Sequence, residues 1–115
     1  MPLKLAIPKE TAANEKRVAI VPAVAQKLAG MGLDIGLEKG AGDGASMPDS
    51  AYGDKVTVEG DSAKLLGSAD VVVKVQPPTV EEIGQMKEGT VLLSHLYGHN
   101  NTDVIKALRD RKITA

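Results

Sequence analysis

Cysteine is missing from the 115 residues, which removes disulfides, thiolate zinc sites and thiol catalysis together and suits a reducing compartment. Phe and Trp are missing as well, and Tyr52 and Tyr97 are the only aromatic side chains. The core therefore has to be aliphatic, and no aromatic platform exists on which nucleic-acid bases could stack. Charge of one sign is not in excess either: 14 Lys and Arg stand against 15 Asp and Glu, a net charge of −1. Such a surface has no field to draw the chain to nucleic acid or anionic lipid. No stretch approaches the roughly 18 apolar residues of a membrane span, and the opening MPLKLAIPKE holds too short an apolar run for a signal peptide. The expectation is a soluble segment whose membrane connection, if any, comes through a partner.

What is present is ordinary for one globular domain, with 43% hydrophobic and 25% charged residues. Leu3 to Ile7 reads as a buried strand stopped by Pro8, and Lys9 to Lys16 as a loop leaving its carboxyl end. Pro22 pre-sets a helical turn, after which Val24, Ala25, Leu28 and Ala29 recur at helical spacing until Gly30 and Gly32. A second strand spans Asp34 to Glu38, a short helical turn runs through Tyr52, and Val56 to Val58 reads as an edge strand. Asp61 caps a helix carrying Leu65, Leu66 and Ala69. Asp70 to Val75 then reads as a strand buried on both faces, ended by Gln76-Pro77-Pro78. Thr79-Val-Glu-Glu82 matches a capping box for a helix with Ile83 and Met86 inward. Thr90 to Leu93 is another parallel-type strand, followed by a helix expected to bury Val104, Ile105 and Leu108. Ile113 to Ala115 reads as the start of one more strand, and an alternation broken off there leads us to expect a segment of a longer protein.

Strand and helix alternating in this way predict an α/β fold: a flavodoxin-like, three-layer, doubly wound sheet, mainly parallel and Rossmann-like. The strand carboxyl ends would gather Lys9 and Glu10, Lys74 and Gln76, and Ser94, His95 and Tyr97. Such a set can bind a carboxylate or relay a proton, and its plainer reading is a group of capping and snorkelling loop residues. Gly40-Ala-Gly42-Asp-Gly44-Ala45 fits G-x-G-x-x-A, and Glu59 lies where a ribose-binding acid is sought. Pro48 and the short distance to Val56 leave no room for the long helix that holds a pyrophosphate, so a tight glycine turn is expected. His95 and His99 have a helical metal spacing, but the Gly and Asn residues around them indicate a loop, and no metal site is expected.

IPKETAANEKRVAIVP, LEKGAGDGAS, ADVVVKVQPP and VLLSHL, in that order, closely resemble the N-terminal segment shared by two families. These are the alanine dehydrogenases and the NAD(H)-binding component, domain I or alpha subunit, of proton-translocating NAD(P) transhydrogenases. In the dehydrogenases the first motif's arginine and the third motif's lysine hold substrate carboxylate and carbonyl, and Arg17 and Lys74 match them. The register of the fourth motif puts Tyr97 at the place of the dehydrogenases' catalytic histidine and His95 on a preceding aromatic. A phenol of pKa about 10 is a poor acid and base near neutrality. VQPP and the closing ALRDRKITA also look like transhydrogenase, which the resemblance therefore favours.

That resemblance implies hydride transfer between NADH and NADP⁺, with NADP(H) on a partner component and proton movement through a membrane component. It implies a downstream NAD-binding Rossmann domain, so residues 1–115 would be the N-terminal segment of the first domain and would hold no cofactor alone. No catalytic residue is then required, and Arg17, Lys74, His95 and Tyr97 become residues of a cleft wall. It further implies a homodimer of the full-length component, cytoplasmic and peripheral at the inner membrane, or on the matrix side in a mitochondrion. An alanine dehydrogenase substrate domain and a non-catalytic assembly module remain the alternatives.

Overall fold

The computed structural model describes residues 3–11, 15–96 and 102–115. Its strands are β1 (Lys4–Ile7), β2 (Asp34–Glu38), β3 (Val56–Glu59), β4 (Val71–Val73) and β5 (Val91–Leu93). They form one parallel sheet in the order β3-β2-β1-β4-β5. Its helices are α1 (Pro22–Gly30), α2 (Ser62–Ser68), α3 (Val80–Gln85) and α4 (Thr102–Asp110). This order is a doubly wound one, and the direction of winding reverses between β1 and β4. Thr114 forms an isolated parallel bridge with Val91.

Alternation along each strand divides the core into two layers. Leu5 and Ile7 of β1 and Ile35 and Leu37 of β2 pack with Ala25 of α1 and with Tyr52. Tyr52 is fully buried in a 3-10 turn over Asp49–Tyr52, and its hydroxyl donates to the Ile20 carbonyl at 2.7 Å. On the opposite face Ala6, Val72 and Leu92 meet Leu65 and Leu66 of α2, Ile83 of α3, and Val104 and Leu108 of α4. Three helices thus cover one face, and α1 with the Tyr52 turn covers the β1–β3 half of the other.

This asymmetry corrects the expectation of a strand buried on both sides. Val72 is fully buried, but Val71 and Val73 are half-buried, while Val91 and Leu93 are exposed on β5. One helical position also differs from expectation. Ile105 on α4 is exposed, because α4 turns Val104 and Leu108 inward.

Two helix starts follow the expected chemistry. Asp61 accepts from the backbone of Ala63 and Lys64 at the start of α2. At α3, Thr79 accepts from the Glu82 backbone while Oε1 of Glu82 accepts from the Thr79 backbone, a complete capping box. At the other end of the sheet, Asp70 accepts from the Lys4 backbone and from the Lys87 ammonium. Those bonds hold its carboxyl below the usual range, the backbone bond most strongly.

Candidate functional site: the carboxyl ends of β1 and β4

The winding reverses between β1 and β4, and in doubly wound sheets the crevice outside the carboxyl ends at such a point takes the ligand. Here β1 delivers Lys9 and Glu10, and β4 delivers Lys74, Val75 and Gln76. Neighbours in the chain separate at once. Lys9 borders a polar cavity of about 200 Å³ with Thr11, Glu38, Thr79, Glu81 and Glu82. Glu10 turns the other way and is buried.

Glu10 closes the end of β4. Past β4 the Lys74 backbone donates to the Leu93 carbonyl at 2.9 Å, and the His95 backbone donates to the Val75 carbonyl at 3.4 Å. The two amides after Lys74 leave the ladder: Val75 donates to Oε2 of Glu10 at 2.9 Å, and Gln76 donates to Oε1 at 3.1 Å. The regular strand ends at Val73, two residues short of the strand read from the valines. The Lys74 ammonium lies 3.4 Å from Oε1 of Glu10 and 3.5 Å from Oε2 of Glu82. Both partners of the first pair are 2% exposed. Lys74 was expected either to snorkel to water or to point into the crevice. Its ammonium is buried between two carboxylates, while the residue also borders the cleft.

A second polar chain continues from Gln76. Its side-chain amide donates to Glu15 at 2.7 Å, and Glu15 accepts from both the backbone and the guanidinium of Arg17. These bonds, that from the Arg17 side chain first and that from Gln76 next, hold the Glu15 carboxyl far below the ordinary carboxylate range. Arg17 then borders an open cleft of about 380 Å³ with Ala19, Val73, Leu93, Ser94 and His95, which Lys74 and Val75 also line. One wall is apolar and the rim is polar. The Ser94 hydroxyl is buried and has no hydrogen-bond partner among the described residues.

Arg17, Lys74 and His95 are thus brought together, with Ser94 beside them, while Lys9 is not. Tyr97, like His99, lies outside the described residues. Glu15 and Glu82 were not singled out as site residues. Glu82 was legible only as a cap, and its other oxygen serves Lys74. Glu15 sits in a polar loop with no periodicity to mark it.

The glycine run forms the expected turn, with Asp43–Ala45 as a single 3-10 turn and the Gly40 amide committed to the Asp49 carboxylate. No long helix starts there, so this run has no cradle for a pyrophosphate. Among the described residues no cluster of His, Asp and Glu could hold a metal, and no helix is long and apolar enough to cross a membrane.

The fold and the cleft define a class: a doubly wound α/β domain with a ligand-sized cleft at the exits of β4 and β5, beside its topological switch point. Residues 6–115 match the family described as alanine dehydrogenase/PNT, N-terminal domain, and the chain belongs to that family. It is 45% identical, over 98% of its length, to an NAD(P) transhydrogenase alpha-subunit polypeptide of Rhodospirillum rubrum. It is 34% identical over 97% of its length to alanine dehydrogenase of Halomonas elongata. The crystal structure of transhydrogenase from Sinorhizobium meliloti superposes with a TM-score of 0.88 at 32% identity, covering 96% of this chain and 33% of that one. The chain spans 31% of the first relative and 30% of the second, about a third of each.

Proposed function

We propose that this chain is the first-domain segment of the NAD(H)-binding component of a proton-translocating NAD(P) transhydrogenase. The observation that carries the reading is the difference in identity over almost the same span, 45% to the transhydrogenase subunit against 34% to the dehydrogenase. The site supports it. The family's lysine, Lys74, has its ammonium committed to Glu10 and Glu82, and so is not presented to a substrate carbonyl.

The cleft residues fit one portion of a dinucleotide. Ala19, Val73 and Leu93 offer an apolar wall to a flat ring, and Arg17, Ser94 and His95 form its polar rim. Nothing in the glycine turn fits the phosphates, which supports a separate Rossmann domain for NAD(H). When bound, the nicotinamides supply the chemistry: a hydride passes from the reduced ring of NADH to the oxidised ring of NADP⁺ on a partner component, leaving NAD⁺ and NADPH. The chain's residues have no proton to move in that exchange. Their work is to wall the cleft, orient a ring and exclude water. A membrane component would couple the transfer to proton movement, with the full-length component acting as a dimer on the membrane surface.

The test is made on the segment and on its parent. The 115-residue chain alone is expected to give no NADH heat in micromolar calorimetry. The longer parent protein, combined with its partner components, is expected to reduce NADP⁺ with NADH and to show no alanine oxidation. Micromolar NADH binding by the segment, or alanine-dependent NAD⁺ reduction by the parent, overturns the reading. The match of Arg17 to the dehydrogenases' carboxylate-binding arginine favours alanine dehydrogenase as the second reading. For it, Tyr97→His in the parent would raise activity with alanine. A parent that moves no hydride yet binds the membrane partner would be an assembly module.

A further inference from the structure

We infer that the exit of β4 is a small-carboxylate binding site whose resident ligand is the chain's own Glu10. Two successive backbone amides, Val75 and Gln76, and the Lys74 ammonium converge on one carboxylate at 2.9, 3.1 and 3.4 Å. Successive amides pointing into one concavity form an anion nest, and a cation beside it raises its preference for negative charge. Both amides have left the strand ladder, so without an anion two partly buried backbone donors would lose their partner. The site stands at the β1/β4 switch point, where this class of sheet takes its ligands. Here the fold meets that demand from within, since Glu10 arrives from the end of β1 with its side chain 2% exposed.

The occupied nest has a consequence for the cleft. Val75 and Lys74 line it, so Glu10 sets the position of that wall and keeps the ammonium turned toward Glu82 on α3. Glu10 is therefore a positioning residue, acting through the β4 exit. The nest belongs to this chain whichever enzyme the parent protein is, so the inference does not depend on the transhydrogenase reading.

The experiment is chemical rescue of Glu10→Ala in the 115-residue chain, read by thermal melting in sodium formate against sodium chloride at equal ionic strength. Loss of the resident anion is expected to lower Tm by about 15 °C. Formate, which restores the carboxylate without the tether, is expected to recover a saturable fraction of that loss, while chloride does not, and the wild-type chain responds to the two salts alike. Equal recovery in formate and chloride, or none in either, overturns the inference. If Glu10→Ala does not fold in either salt, Glu10→Gln decides. The amide keeps the side chain's bulk but no charge, so it is expected to be folded, less stable than wild type and indifferent to formate. A Gln variant as stable as wild type overturns the need for an anion.

Discussion

Replacing Lys74 with Met tests whether this side chain holds the fold together or waits for a ligand. The substitution preserves most of the stem and removes the ammonium from between Glu10 and Glu82. Lys74 and Glu10 are each 2% exposed, so solvent screening offers little relief and breaking a buried pair applies, at about 3–5 kcal/mol. Two features place the cost at the low end. Glu10 keeps two backbone amides, and Glu82 keeps its bond from Thr79. We therefore expect a loss of about 3 kcal/mol, or roughly 12–20 °C in Tm for a domain of this size. Thermal melts of Lys74→Met, Glu10→Gln and the double variant close a double-mutant cycle. The double variant, with no charge left in the pair, is expected to be more stable than Lys74→Met alone. A Lys74→Met chain within about 0.5 kcal/mol of wild type, the range of ordinary surface substitutions, would refute the buried ion pair and return Lys74 to the cleft.

Three further outcomes follow from the same geometry. Tyr52→Phe leaves the Ile20 carbonyl without its buried donor and is expected to cost about 1–3 kcal/mol in denaturant melts, with the aromatic packing kept. Glu15 has a folded pKa depressed below its ordinary 4.5, so its stabilisation is full above that value and is lost as pH falls below it toward the folded value. Glu15→Gln should accordingly make stability less steep on the acid side of pH 4.5, with about one proton fewer taken up on acid unfolding. An unchanged slope would show that Arg17 and Gln76 do not hold the carboxylate. On α4, Leu108→Ala should cost about 2–5 kcal/mol and Ile105→Ala under about 1, since Leu108 is 3% exposed and Ile105 39%. Equal losses would show that the other face of the helix is covered.

The alternation of strand and helix was legible because each element carries its own punctuation. Pro8 marks a strand end, Gly30 and Gly32 a helix end, Pro22, Asp61 and Thr79 mark helix starts, and the observed bounds follow them closely. The cleft was only partly legible, because position alone placed Lys74 and His95 at strand exits. What escaped were the partners of those residues, and the reason is physical. Glu10 and Val75 are 65 positions apart, and their meeting depends on β4 lying beside β1, a fact of strand order that no local pattern contains. Glu82 shows a different obscurity. Its carboxylate has two oxygens, and the local capping box accounts for one, which hides the demand Lys74 makes on the other.

Three consecutive valines misled about burial for a related reason. Their period-2 pattern records which side each faces, but whether a side is covered depends on which face the crossover helices take. With α2, α3 and α4 together on one face, Val72 is sealed, while Val73 and Leu93 remain to line the cleft. The uneven distribution of helices that leaves this half of the sheet open is therefore what gives the cleft its apolar wall. Glu10 accepts the Val75 and Gln76 amides just past β4, where Lys74 and Val75 border the same space. Strand order, helix distribution and one buried carboxylate thus act on a single place, and a change at Glu10 should alter the cleft although its own carboxylate is buried behind the wall.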